Sequence, residues 1–176
     1  MAAPYHNLGS KLDRALVAYL IGQGAGTARD VLPSNHSGTR EVPFTVVSAH
    51  RGTPNPAAMG TYDVDVRVQI EGLAGNQPGR GSRHQNRLLF DARVAKTYDA
   101  LHLSTDGVSL LATADAITAA GRALAVSDPD NDADMVDFGC LYMTDLGFDR
   151  GEPKDEPGTF LEILNLRCRC CPSAVD

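Results

Sequence analysis

The residues most suggestive of a chemical site are the four cysteines. Cys168, Cys170 and Cys171 crowd one apolar run near the C-terminus, and Cys140 lies in the run before it. On a strand, positions 168 and 170 share a face, so with Cys140 across a hairpin they would supply three thiolates to a zinc ion. The C-x-C-C spacing lacks the C-x₂₋₄-C pair of a strong zinc signature, and no second pair answers it. The group therefore reads as reduced thiols, ahead of a metal site or a disulfide. The stretch DPDNDAD places Asp128, Asp130 and Asp132 at the first, third and fifth positions of an EF-hand loop. Ala133 stands where that loop needs glycine and Gly139 where it needs glutamate, which leaves a solvated acidic turn.

Nucleophilic chemistry finds little support. The histidines are His6, His36, His50, His84 and His102, with no G-x-S-x-G elbow beside them. His102, at the end of an expected helix, reads as a residue that compensates the helix dipole. There is no G-x-x-x-x-G-K-[ST] phosphate loop, and GNQPGRG matches one in glycine content alone. The expectation is a protein that is not an enzyme and needs no cofactor or metal. The remaining candidates are Arg80, Arg83 and Arg87, on or just beyond a glycine-rich loop. Cations so placed can line a channel, touch phosphate or bridge to another subunit.

The elements that must position these residues follow from hydrophobic spacing. Leu8, Leu12, Leu16, Tyr19 and Leu20 recur every three or four residues and predict a first helix; Ser10 and Asp13 resemble a capping box, and Gly22, Gly24 and Gly26 end it. Residues 27–43 read as a loop. FTVVSA (44–49) reads as a strand, followed by a Pro/Gly-rich turn and the chain's strongest pattern, TYDVDVRVQIEG. There Tyr62, Val64, Val66, Val68 and Ile70 alternate with Asp63, Asp65, Arg67, Gln69 and Glu71, as in a half-buried antiparallel strand. A glycine-rich mobile loop at 73–85 leads to a helix over about 85–103 and an alanine-rich helix over about 109–126. Strands at about 136–144 and 158–170 then flank a charged loop at 145–157. The order predicts an α+β fold: a mostly antiparallel sheet of about four strands with helices packed on one face.

Composition bounds the class. A length of 176 residues suits one domain spanning the chain, and 43% hydrophobic with 22% charged residues is enough to bury a core. No run of about 18 apolar residues suggests a membrane span, and residues 1–10 lack the basic start and apolar stretch of a signal peptide. The net charge of −6 argues against a protein that coats nucleic acid. Residues 1–88 carry 9 basic and 6 acidic groups, and 89–176 carry 7 and 16, an asymmetry that suits a subunit presenting unlike faces to its neighbours.

In order and texture the chain resembles the tail terminator proteins of long-tailed bacteriophages. The resemblance rests on an opening helix LDRALVAYL, a strand ending in VVSAHRG, the strand at MGTYDVDVRVQIEG, an arginine-containing loop, the helix LLFDARVAKTYDALHL and a closing strand TFLEILNLRCRC after an acidic hairpin. It covers most of the chain. It implies a structural virion protein without catalytic residues that forms a ring, usually a hexamer, at the head–tail junction, assembled in the host cytoplasm. Such rings cap the tail tube, halt its polymerisation and join the head connector or stopper around a lumen that conducts genomic DNA. Partners implied are other copies of the chain, the tail tube protein, the connector or stopper and DNA, with no membrane. Other neck components, among them a connector, stopper or tail completion protein, share the same texture.

Overall fold

Alternation along a single strand organises the whole molecule. In the computed structural model, which describes residues 8–38, 43–50, 52–73, 81–101, 107–127, 138–149 and 159–172, the run Tyr62–Leu73 is β4, with Val64, Val66, Val68 and Ile70 buried and Asp63, Asp65 and Arg67 turned the other way. A period of two on a half-buried sheet forces that division. The remaining elements are α1 (Leu8–Gly22), β1 (Val31–Pro33), β2 (Phe44–Ala49), β3 (Thr53–Pro54), α2 (Arg83–Leu101), α3 (Gly107–Ser127), β5 (Phe138–Asp149) and β6 (Thr159–Pro172).

The strands form one six-stranded sheet in the order β1-β2-β4-β6-β5, with β3 pairing the start of β4 on the side of β2. β2, β6 and β3 run antiparallel to β4, and β5 antiparallel to β6. The fold class is thus the expected α+β sheet with packed helices, but the sheet is larger and mixed, because β1 lies parallel to β2. β1 falls inside the stretch expected to be loop. Three residues are too short to show a period, and Pro33, with no N–H to donate, suits an edge strand. β5 also runs on to Asp149, past the expected end at Thr144, so part of the expected hairpin loop is strand; the rest of that loop lies outside the described residues.

One face of the sheet carries the core. Val47 of β2, Val64, Val66 and Val68 of β4 and Leu164, Leu166, Cys168 and Cys170 of β6 join Leu8, Leu12, Leu16, Tyr19 and Leu20 of α1, Leu101 of α2 and Ala114 and Ile117 of α3. Each fully buried Val, Leu or Ile contributes on the order of 1.5–3 kcal/mol. Tyr19 Oη donates to the Ala100 carbonyl at 2.6 Å, tying α1 to the end of α2. The α1 stripe is as expected, but Ser10 lies inside the helix, so it is not a capping-box residue. The C-terminus is closed by Gly24, whose φ of 73° is the left-handed conformation of a Schellman cap. The Ala25 N–H reaches the Leu20 carbonyl and the Gly24 N–H the Ile21 carbonyl, both at 3.0 Å. Among the described residues no helix is long and apolar enough to cross a membrane.

Candidate functional site

The start of α2 is built locally. Ser82 Oγ accepts the Gln85 N–H at 3.3 Å while Gln85 Oε1 accepts the Ser82 N–H at 3.0 Å, a reciprocal capping box. The helix is seated by Phe90, buried against Ile70 and Phe160 with Val94 alongside. The Phe90 and Phe160 rings sit 5.5 Å apart, tilted by 37°. Gly72 makes this seat possible, since a Cβ there would come within 2.6 Å of the Phe90 ring. Further along, Tyr98 Oη donates to Glu162 Oε1 at 3.1 Å, and Arg93 Nη2 to Asp30 Oδ2 at 2.9 Å. The second contact joins α2 to the residue before β1.

This frame places two of the three expected arginines. Arg87 stands on α2, in the helix expected over about 85–103, whereas Arg83 is not on the expected mobile loop but one helical turn earlier on the same helix, and Arg80 lies outside the described residues. The loop reading failed because GSRHQ carries a glycine and small polar residues that also suit a helix cap. Arg83 is exposed. Arg87 is half-exposed and held: its Nε lies 2.9 Å from Asp91 Oδ1, and its guanidinium carbon sits 4.9 Å from the centre of the Phe160 ring and 5.7 Å from that of Phe90. Beside these residues Leu88 and Leu89 are 55% and 59% exposed, a large apolar surface to leave in water. No acidic side chain stands in the first turn, so Arg83 and His84 add to the positive end of the helix dipole. The result is an electropositive, leucine-bearing end suited to an anionic or acidic surface.

Three polar features were not legible in the sequence. Asp13, read there as part of a cap, is 5% exposed on α1, where its Oδ2 accepts from Ser34 Oγ at 3.1 Å and from the Ser34 N–H at 3.4 Å. Burial pushes its pKa up to about 6 against the opposing hydrogen bonds from Ser34 and the charge of Arg14, and Oδ1 has no partner among the described residues. Burial acts in the same direction on Asp30, but there the hydrogen bonds from Arg93 and Thr27 win and hold the carboxyl below its usual range. On the sheet face away from the helices, Arg169 Nε meets Asp63 Oδ1 and Arg167 Nε meets Asp65 Oδ1, each at 2.8 Å. The bond to Arg169 lowers the pKa of Asp63.

The cysteines separate by register. Cys168 and Cys170 are buried in the core and not joined in a disulfide, and burial, reinforced by the charge of Cys170, raises the Cys168 pKa well above the usual thiol range. Cys140 does not stand across from either of them; its ladder partner is Cys171, while Met143 and Leu141 oppose Cys168 and Cys170. The three-thiolate grouping imagined from the sequence is therefore not assembled. Among the described residues no group of three or more His, Cys, Asp or Glu side chains is placed to hold a metal ion. The acidic turn at 128–134 and His6 and His102 lie outside the described residues. No protein-family model and no curated protein sequence matches the chain.

Proposed function

We propose that this chain is a structural subunit of a tailed-phage neck, a tail terminator whose copies close into a ring, six-membered in the manner the resemblance implies, cap the tail tube and stop its polymerisation. The ring then meets the head connector or stopper around a lumen for genomic DNA. The observation that carries the reading is the start of α2, where Arg83, Leu88 and Leu89 are exposed beside a guanidinium fixed over two phenylalanine rings. Apolar side chains exposed among cations support a contact surface there, which a ring subunit requires. A ring needs a heterologous interface, in which one face meets a different one, and the basic early half and acidic late half of the chain supply opposite signs for it.

Electron microscopy of particles made without this gene tests the reading. A terminator leaves overlong, headless tails beside DNA-filled heads. Emptied heads beside tails of normal length would make the chain a connector or stopper instead, and normal infectious particles would remove it from the neck altogether. Charge reversal of Arg80, Arg83 and Arg87 together is expected to weaken ring assembly or DNA passage while the subunit keeps its circular dichroism spectrum. Unchanged rings and unchanged infectivity would take that surface out of the function.

A further inference from the structure

We propose that Cys140 and Cys171 are a redox-sensitive pair that forms a cross-strand disulfide and staples β5 to β6. They are direct partners in the antiparallel ladder. Facing residues in such a ladder have Cα atoms about 4.5 Å apart at a non-hydrogen-bonded position and about 5.5 Å apart at a hydrogen-bonded one. A disulfide spans Cα separations of roughly 4.4–6.8 Å, so either kind of position is within bridging range. A register shift falls between Phe138 and Cys140, where an irregular ladder gives the backbone room to adjust.

The other two cysteines are poor competitors. Cys168 and Cys170 are two residues apart on one strand, which sets their Cα atoms about 6.6 Å apart, at the far limit of the range. Both are wholly buried, and Cys168, whose thiol burial holds protonated, is a weak nucleophile. Across the ladder their partners are Val64 and Tyr62 on one side and Met143 and Leu141 on the other, none of them a cysteine.

The oxidant is a small-molecule disulfide. The thiolate of one cysteine attacks it, releases one small thiol and leaves a mixed disulfide. The thiolate of the second cysteine attacks the protein sulfur of that bond, forms Cys140–Cys171 and releases the second small thiol. The two protons given up by the cysteines end on the two small thiols, and the two electrons reduce the oxidant. Among the described strands β5 pairs only with β6, so the bond anchors a strand held along one side. The inference rests on the register and not on the neck reading, although a particle that leaves a reducing cytoplasm for an oxidising exterior would meet the conditions that close the bond.

The test uses the full chain, reduced and then equilibrated with glutathione disulfide, denatured, alkylated and weighed intact. Two of the four thiols should be lost within a monomer without added mass, and peptide mapping should join the segments holding Cys140 and Cys171. The melting temperature should rise by roughly 5–10 °C on oxidation. Cys140→Ser and Cys171→Ser should each abolish the internal link, whereas Cys168→Ser should keep it. Four alkylated thiols after oxidation, a link that includes Cys168 or Cys170, or links only between chains would each overturn the proposal.

Discussion

The two faces of the β4–β6 pair share one ladder and carry opposite chemistry. On the inner side Val64, Val66 and Val68 face Cys168, Leu166 and Leu164, all at most 2% exposed. On the outer side the intervening residues Asp63 and Asp65 face Arg169 and Arg167 in half-exposed ion pairs. Neighbouring residues along the same backbone therefore differ in what they can be asked to tolerate. The inner face fixes whether the chain folds, because buried apolar surface is the main favourable term. The outer face fixes register and solubility, since exposed ion pairs add little stability but disfavour like-charge mispairing.

The strongest test of that contrast is Val66→Asp against Arg67→Ala. An unpaired carboxylate at Val66 should cost several kcal/mol, enough to unfold a domain of ordinary stability, whereas Arg67→Ala should stay within about 0.5 kcal/mol. Circular dichroism and urea unfolding read both. A soluble, cooperatively folding Val66→Asp variant would show that the faces are reversed.

An intermediate effect is expected at Asp13, a carboxyl buried on the apolar side. Its folded pKa of about 6 lies above the unfolded value of 3.8, so the folded state binds the proton more tightly. The stability this contributes is fully present below about pH 4 and is lost as pH rises through about 6. Asp13→Asn should remove that dependence and raise stability at pH 7 by on the order of 2 kcal/mol relative to the parent chain, with little change at pH 4. Denaturant titrations at the two pH values would sharpen the comparison, and parallel curves for the two proteins across that range would break it.

The smallest effect belongs to the outer ladder. A double-mutant cycle on Asp63 and Arg169 should give a coupling below about 1 kcal/mol that shrinks with added salt. A coupling of several kcal/mol, insensitive to salt, would mean that the outer face is covered in the working protein, as a subunit interface would cover it.

What could be read from the sequence divides along similar lines. The alternation of β4 was legible because one buried face and one wet face impose a period of two. The α1 stripe was legible because Leu8, Leu12, Leu16 and Leu20 share one side of a helix. β1 was not, since three residues held by pairing to β2 carry no period of their own. The arginine site was read in type but only partly in place: Arg87 falls in the expected helix, while Ser82 and Gln85 form a cap whose residues also suit a loop, so Arg83 was assigned to the wrong kind of element. Asp13 and the pairing of Cys140 with Cys171 depend on partners distant in sequence, Ser34 and a strand register, that local spacing does not encode.

The long partnership of β4 and β6 has a mechanical consequence. All twelve residues of β4 are matched on β6. A pull along the strand axis loads that ladder in shear, so many hydrogen bonds must fail together before the strands slide. A pull on β5 from the side of the sheet loads its bonds to β6 in turn, as in a zipper. Tension transmitted along the central strands is therefore borne stiffly, whereas a sideways pull on β5 is resisted by one ladder bond at a time.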